Sequence, residues 1–438
     1  MRGAAALALA FLTLAGCEGA AQRMPEPTGT LKVFDEEEDR FRAEMLPYVA
    51  ASFPELEVVL LPYEAFASEK RSGGETKKEA IDNAFMAEYV PDVVIARHAS
   101  SFRSLLRNNW LKPLDLWMQE SDDAPDLVSP RLEEALRGDD GLQYALAPSF
   151  TARVLFYHQG LFEEAGVPLP VDGMTWEEAL GLAARIASGG DGEGADIRFG
   201  LYHESSDQPF AVIVDVAGRS GGTFVDSDGA PSLRTPVWRA AWELVADAYR
   251  NGGIYRSSSD GSGGGDPFLA FAEGRIGMLL GDETTARRLS GLSVPWGVVT
   301  EPIDASRPDV SPSLRLHSYL SVNQRGARQE VAWEVVRRLG GGETVGAGIP
   351  VERAAAKRLY SDLDLEPFYR LGPDVEASTS DAAALPSAFY MAMFVDGNRL
   401  AEEVIARRLS VERALEELET SAQAALLSSH RAAGSGLQ

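Results

Sequence analysis

Short apolar runs alternate along the chain with longer stretches in which apolar residues recur at helical spacing, which predicts strands and helices in turn. The runs at 30–34 (TLKVF), 56–61 (LEVVLL) and 91–96 (PDVVIA) read as strands, the last continuously apolar from Val93 to Ala96, as a sheet covered on both faces requires. Between them Phe41, Met45 and Val49, then Ile81, Ala84, Phe85 and Tyr89, mark helix faces. A helix over 102–108 and a longer helical, acidic stretch over 116–141 lead to a strand at 143–147. A polar crossing over Pro148, Ser149, Phe150 and Thr151 separates it from a strand at 153–158. A second series follows, with strands at 199–202, 276–280, 296–300 and 319–322 and helices at 160–165, 210–217 and 329–339. One helix is opened by Thr175, whose hydroxyl can accept from the amide of Glu178 while the Glu178 side chain reaches back, a capping box. In another, Trp238, Trp242, Val245 and Tyr249 step by four, three and four, the mark of a helix buried on one side. The chain from Ala354 onward is helical, with Leu415, Leu418, Ala422 and Leu426 as its packing stripe. Strands alternating with helices predict an α/β architecture.

At 438 residues the chain exceeds one ordinary core, so two domains are expected. Lys and Arg total 41 against 66 for Asp and Glu, a net charge of −25 that repels phosphate backbones and anionic headgroups. Nucleic acid is therefore excluded as a partner. The single cysteine, Cys17, rules out an intramolecular disulfide and a cysteine-based metal site. It follows a charged start and an apolar run over 4–14, too short to span a bilayer. Leu14-Ala15-Gly16-Cys17 matches the bacterial lipobox, in which the cysteine becomes diacylated. Residues 1–16 then read as a lipoprotein signal peptide and 17–28 as a lipidated, polar tether, with two acyl chains sufficing for stable anchoring.

The crossover carries the most specific pattern. Tyr144-Ala145-Leu146-Ala147-Pro148, Leu155-Phe156-Tyr157-His158, Leu161-Phe162-Glu163-Glu164-Ala165-Gly166 and Thr175-Trp176-Glu177-Glu178 occur in that order. With Trp110-Leu111-Lys112-Pro113-Leu114-Asp115, the stretch FLAFAEGRIGMLL at 268–280 and Ala347-Gly348-Ile349-Pro350, they resemble the sugar-binding branch (family 1) of the extracellular solute-binding proteins of ABC importers. The resemblance covers about 30–427. It implies a two-lobed, periplasmic-binding-protein-like α/β fold (type II), each lobe a mainly parallel sheet flanked by helices, with a hinge between them. Residues 29–147 and 301–346 would form lobe one, and 148–300 and 347–438 lobe two. The chain departs from the family at 281–284, where relatives have a Gly-Pro-Trp or Gly-Ser-Trp that stacks on sugar and this sequence has Gly281-Asp282-Glu283-Thr284.

Ligand would bind between the lobes, at the carboxyl ends of strands. The candidates are Asp35, Glu36, Glu37, His98, His317 and Tyr319 on lobe one, Phe150 and Tyr157 at the crossover, and Asp282, Glu283 and Thr284 on lobe two. Carboxylates there would accept from sugar hydroxyls and aromatic faces would stack on sugar rings. The acid-rich mouth also admits a cationic solute such as a polyamine. A surface-anchored glycoside hydrolase would need two acids flanking a bond, which consecutive acids on one turn do not do. The sequence holds no His-Glu-x-x-His, no Gly-x-Ser-x-Gly and five histidines in all, so no catalytic residue, metal or cofactor is expected. A structural or adhesive lipoprotein is the third reading. The expectation is a lipid-anchored monomer on the outer face of the cell membrane, handing a carbohydrate to ABC permease subunits.

Overall fold

The computed structural model describes residues 27–75, 77–120, 126–127, 129–189, 198–257, 265–342, 348–374 and 385–435. The signal peptide, Cys17, most of the tether, most of the Gly/Ser loop after Ser257, and Ala347 lie outside the described residues. In chain order the strands are β1 (Gly29–Asp35), β2 (Leu56–Leu60), β3 (Val93–Ala96), β4 (Ser149–Thr151), β5 (Val154–His158), β6 (Phe199–His203), β7 (Ile276–Gly281), β8 (Trp296–Thr300), β9 (Val310–Ser311), β10 (Arg315–Leu316), β11 (Tyr319–Val322), β12 (Ile349–Pro350) and β13 (Gly372–Pro373).

Lobe one is built on the sheet β11-β3-β1-β2, with β1 parallel to both β2 and β3 and β11 antiparallel to β3. Alternate residues of a strand face opposite sides. Val93 and Ile95 accordingly join Trp333, Val336 and Phe41 on one face, while Val94 and Ala96 join Phe85 and Phe102 on the other. Both faces are covered by helices, which is why Val93–Ala96 has no polar beat. The segment expected as a strand at 143–147 is extended but makes only isolated bridges, Arg137 to Gln143 and Leu146 to Leu320. The helical stretch expected over 116–141 is divided: Asp115–Glu120 and Pro130–Ala135 are helices, the second started afresh by Ser129 as N-cap with Pro130 behind it.

Lobe two is built on the sheet β6-β7-β5-β8. Here the expectation of a mainly parallel sheet is corrected, since β5 is antiparallel to β7 and β8 and only β6 and β7 run parallel. The reason is the route of the chain: β5 leaves the hinge, whereas β6, β7 and β8 all run back towards it. The Thr175 capping box is present, with Glu178 Oε2 accepting from the Thr175 amide at 2.8 Å and Thr175 Oγ1 from the Glu178 amide at 3.3 Å. Trp238 and Trp242 of helix Pro236–Arg250 are buried against helices Ser387–Ile405 and Val411–Ser435.

Between the sheets lies a third one, β10-β4-β12, in which three separate stretches of chain pair antiparallel. What the sequence presented as a polar crossing is thus a strand. Gly348, just before β12, has φ +84°, and a Cβ there would sit 2.6 Å from the Phe150 carbonyl oxygen, so only glycine fits. One apolar cluster runs from Phe34 and Phe102 through Phe150, Leu316 and Ile349 to Phe156 and Leu279, linking the lobes through this hinge sheet.

Candidate functional site

The opposed direction of β5 places its first residues beside the carboxyl ends of β6, β7 and β8. Arg153, Glu204, Asp282 and Glu301 therefore gather at the hinge end of lobe two. Facing the hinge sheet, the first three help enclose a cavity of about 540 Å³, and Glu301 is buried behind its lining. Lobe two supplies Arg153, Glu204, Asp215, Asp282, Thr284 and Arg288, with the rings of Tyr202 and Phe268. The hinge side supplies Thr151, Ser313 and Arg315.

An ionic cluster forms the cavity floor. Arg153 Nη2 donates to both oxygens of Asp215, at 2.8 and 3.0 Å. Behind it Arg219, 2% exposed, donates to Glu301 Oε2 at 2.7 Å and to the Pro302 carbonyl at 3.0 Å, and lies 3.5 Å from Asp215. Burial alone would raise the Asp215 carboxyl, but Arg219, with Arg153 and His203, holds it well below the usual carboxylate range. His203 Nδ1 accepts from the Ser205 amide at 3.0 Å, which leaves Nε2 to donate to Asp215 at 3.2 Å. Glu301 also accepts from the hydroxyls of Ser311 and Ser313. Ser313 in turn accepts from the Arg153 amide at 2.9 Å, fastening the start of β5 to the hinge.

Of the residues expected at the site, Asp282 and Thr284 line this cavity. Asp282 is the N-cap of helix Glu283–Ser290, its Oδ1 accepting from the amides of Thr284 at 2.9 Å and Thr285 at 3.3 Å. Glu283 turns from the cavity into the hinge, where it accepts from Thr151 Oγ1 at 3.0 Å and from the Gly348 amide, and burial pushes its carboxyl up. The departure at 281–284 is thus a helix start in place of an aromatic platform.

The remaining candidates lie elsewhere. Asp35 is wholly buried in a bidentate pair with Arg97, at 2.8 and 2.6 Å, and burial raises its carboxyl in spite of that partner. Glu36 accepts from Lys78 and the Arg97 amide; burial opposes its charge, yet Lys78 keeps it below its ordinary value. Glu37 donates its amide to Asp35 at 2.8 Å. His98 is exposed and precedes helix Ala99–Arg107 without a side-chain cap bond. Phe150 is fully buried in the hinge cluster, and Tyr157 packs edge-on to Phe162 of helix Gln159–Ala165, which follows its strand. His317 Nδ1 is 3.1 Å from Ser149 Oγ. Tyr319 stacks on Phe102 at 4.8 Å, its phenol pushed up to about 12 by burial.

The cavity residues that sequence reasoning passed over are chiefly Arg153, Tyr202, Glu204, Phe268, Arg288 and Arg315. The rule that selected Asp282, position at the carboxyl end of a strand, would also have selected Glu204 after β6. Arg315 carried no signal, because a two-residue strand has no periodicity to read. Among the described residues no group of three or more His, Cys, Asp or Glu is placed to hold a metal ion, and no helix is long and apolar enough to cross a membrane.

Comparison with known proteins shows the family and the fold. Residues 70–335 match the family described as bacterial extracellular solute-binding protein. Binding proteins of Brucella abortus (strain 2308) and Brucella suis biovar 1 (strain 1330) are each 27% identical over 251 residues, 54% of this chain and 57% of theirs, so the match spans just over half of those relatives. Three solved structures share the fold. A family 1 extracellular solute-binding protein from Alicyclobacillus acidocaldarius is 12% identical with a TM-score of 0.59, over 92% of this chain and all of its own. UspC of M. tuberculosis is 17% identical with a TM-score of 0.56, over 91% and 100%. The sugar-binding protein MalE of Xanthomonas citri is 18% identical with a TM-score of 0.55, over 92% and 98%. The chain belongs to the bacterial extracellular solute-binding protein family, and is a binding protein rather than an enzyme.

Proposed function

We propose that the chain captures a carbohydrate in the hinge cavity and delivers it to the permease of an ABC importer. The observation that carries this reading is the cavity itself. It is concave and polar, lies where the carboxyl ends of three strands meet the hinge sheet, and is lined by hydroxyls, carboxylates and guanidiniums that can pair with a polyol. A solved protein of the same fold that is described as sugar-binding supports the choice of carbohydrate. The lobes are divided as the crossover pattern implies, with 29–147 and 301–346 in one and 148–300 and 347–438 in the other. Closure about β4, β10 and β12 would bring lobe one over the ligand, which stabilises the closed form by its preference for it.

The protein acts as a monomer held to the outer face of the cell membrane through diacylated Cys17, with 17–28 as the leash. A thermal-shift screen against neutral, amino and acidic sugars and polyamines tests the reading. A ligand present at a hundred times its dissociation constant adds about 2.7 kcal/mol to apparent stability. Absence of any shift across the panel would refute it. Metabolic labelling with a fatty acid, lost in Cys17→Ala, tests the anchor.

A further inference from the structure

We propose that the ligand of the hinge cavity carries an anionic group, a carboxylate or phosphate on a sugar, and that Arg315 receives it. The inference rests on the carbohydrate reading and narrows it.

It comes from what each charged side chain of the cavity is already bonded to. Arg153 and Asp215 hold each other, and Glu204 lies 3.6 Å from Arg153. Asp282 Oδ1 caps a helix, while its Oδ2 has no partner among the described residues and can accept from a hydroxyl. Arg288 pairs with Asp266 at 3.1 Å and lies over the Phe268 ring, 3.4 Å from its centroid. Arg315 alone of the cavity's charged groups has no ion-pair or hydrogen-bond partner for its side chain among the described residues.

Its direction follows from the hinge register. Arg315 lies opposite Thr151 across an antiparallel pair, and opposed residues present their side chains on one face. Both residues line the cavity. A planar fork of five donors is thus held on the wall of a polar concave site, the geometry that matches a carboxylate or phosphate in bidentate fashion. A cationic solute would meet Arg315 unopposed, with most of the nearby carboxylates already engaged. An anion would find Arg315 ready, and Arg288 within the same cavity, whose exposed pair with Asp266 is of the weakly held kind. The Tyr202 hydroxyl and Asp282 Oδ2 remain for the sugar hydroxyls, and Thr284 Oγ1, which donates to Asp282 Oδ1 at 2.6 Å, can still accept from one.

The test is calorimetric titration of the purified full-length protein with matched probes in the galacto and gluco series, as mono- and trisaccharides: the neutral sugar, its uronic acid and its phosphate, with spermidine as the cation. One anionic form is expected to bind at least about tenfold tighter than its neutral parent, or about 1.4 kcal/mol. Arg315→Gln should erase that difference and Arg315→Lys should restore part of it, the unliganded melting temperature being unchanged in both. Preference between uronate and phosphate identifies the source of the negative charge. A neutral sugar bound as tightly as its acid, or an acid preference that survives Arg315→Gln, overturns this proposal and leaves the carbohydrate reading standing. Binding of spermidine with no sugar bound, or no binding by any probe, overturns both.

Discussion

Replacing Glu301 by alanine removes the carboxylate that keeps Arg219 paired inside the protein. Glu301 is 1% exposed and accepts from Arg219 at 2.7 Å and from the Ser311 and Ser313 hydroxyls. Without it the Arg219 guanidinium remains buried, with Asp215 at 3.5 Å as its nearest described carboxylate and Asp215 itself already engaged by Arg153. Removing one member of a buried pair costs about 3–5 kcal/mol, mostly because the other charge stays desolvated. Glu301→Gln keeps an acceptor for Arg219 and loses the charge, so it should cost the value of one charge-assisted hydrogen bond, about 1.5–3 kcal/mol. Urea titration followed by tryptophan fluorescence measures both, with the midpoint reporting stability and an unchanged slope showing that unfolding exposes as much surface as in the parent. The double substitution Arg219→Met with Glu301→Leu should recover much of the alanine loss, because a packed apolar pair needs no desolvation of charge. A cost below about 1 kcal/mol for Glu301→Ala, which is the scale of an exposed pair, would refute the claim that this cluster fastens the hinge.

Three further outcomes follow from the same geometry. A Cβ at Gly200 would lie 2.3 Å from the Ala183 backbone, so Gly200→Ala should force β6 away from helix Trp176–Ser188 and cost about 1–3 kcal/mol or more in urea titration. Asp215 has a folded-state pKa below its unfolded value of about 3.9, so its contribution is complete above that pH and is lost as pH falls further. Melting curves should then show an acid limb that Asp215→Asn flattens, at the cost of lower stability at pH 7. Glu283 is the opposite case: burial raises its folded-state pKa, so stability falls as pH rises from its unfolded value of about 4.3 through the folded one. Glu283→Gln should be at least as stable as the parent at pH 7 and lose that advantage near pH 4, as differential scanning calorimetry would show.

The elements that could be read from the sequence were those with a repeating pattern or a local cap. The covered strand Val93–Ala96, the Thr175 capping box and the Trp238–Trp242 stripe each declare themselves over a few residues. The hinge sheet did not, because β4, β10 and β12 are two or three residues long and find partners only across the fold. The direction of β5 was hidden for the same reason: a buried strand has the same composition whether its neighbours run with it or against it. At the site, position at a strand end gave Asp282, but it could not separate a carboxylate facing solvent from one such as Asp35, sealed against Arg97. That distinction depends on a residue 62 positions away and appears only when the chain is folded.

The antiparallel pairing of Leu320 with Ile95 fixes an order of events during biosynthesis. An edge of the first sheet is filled by β11, which leaves the ribosome only after every strand of the second sheet. Until then β3 has one bare flank, and helix Gln329–Gly340, whose Trp333 and Val336 cover that sheet, has not yet been made. Lobe one therefore cannot complete its core until the chain has been made past Gly340, and contacts of such long sequence separation make its closure slow relative to local helix formation.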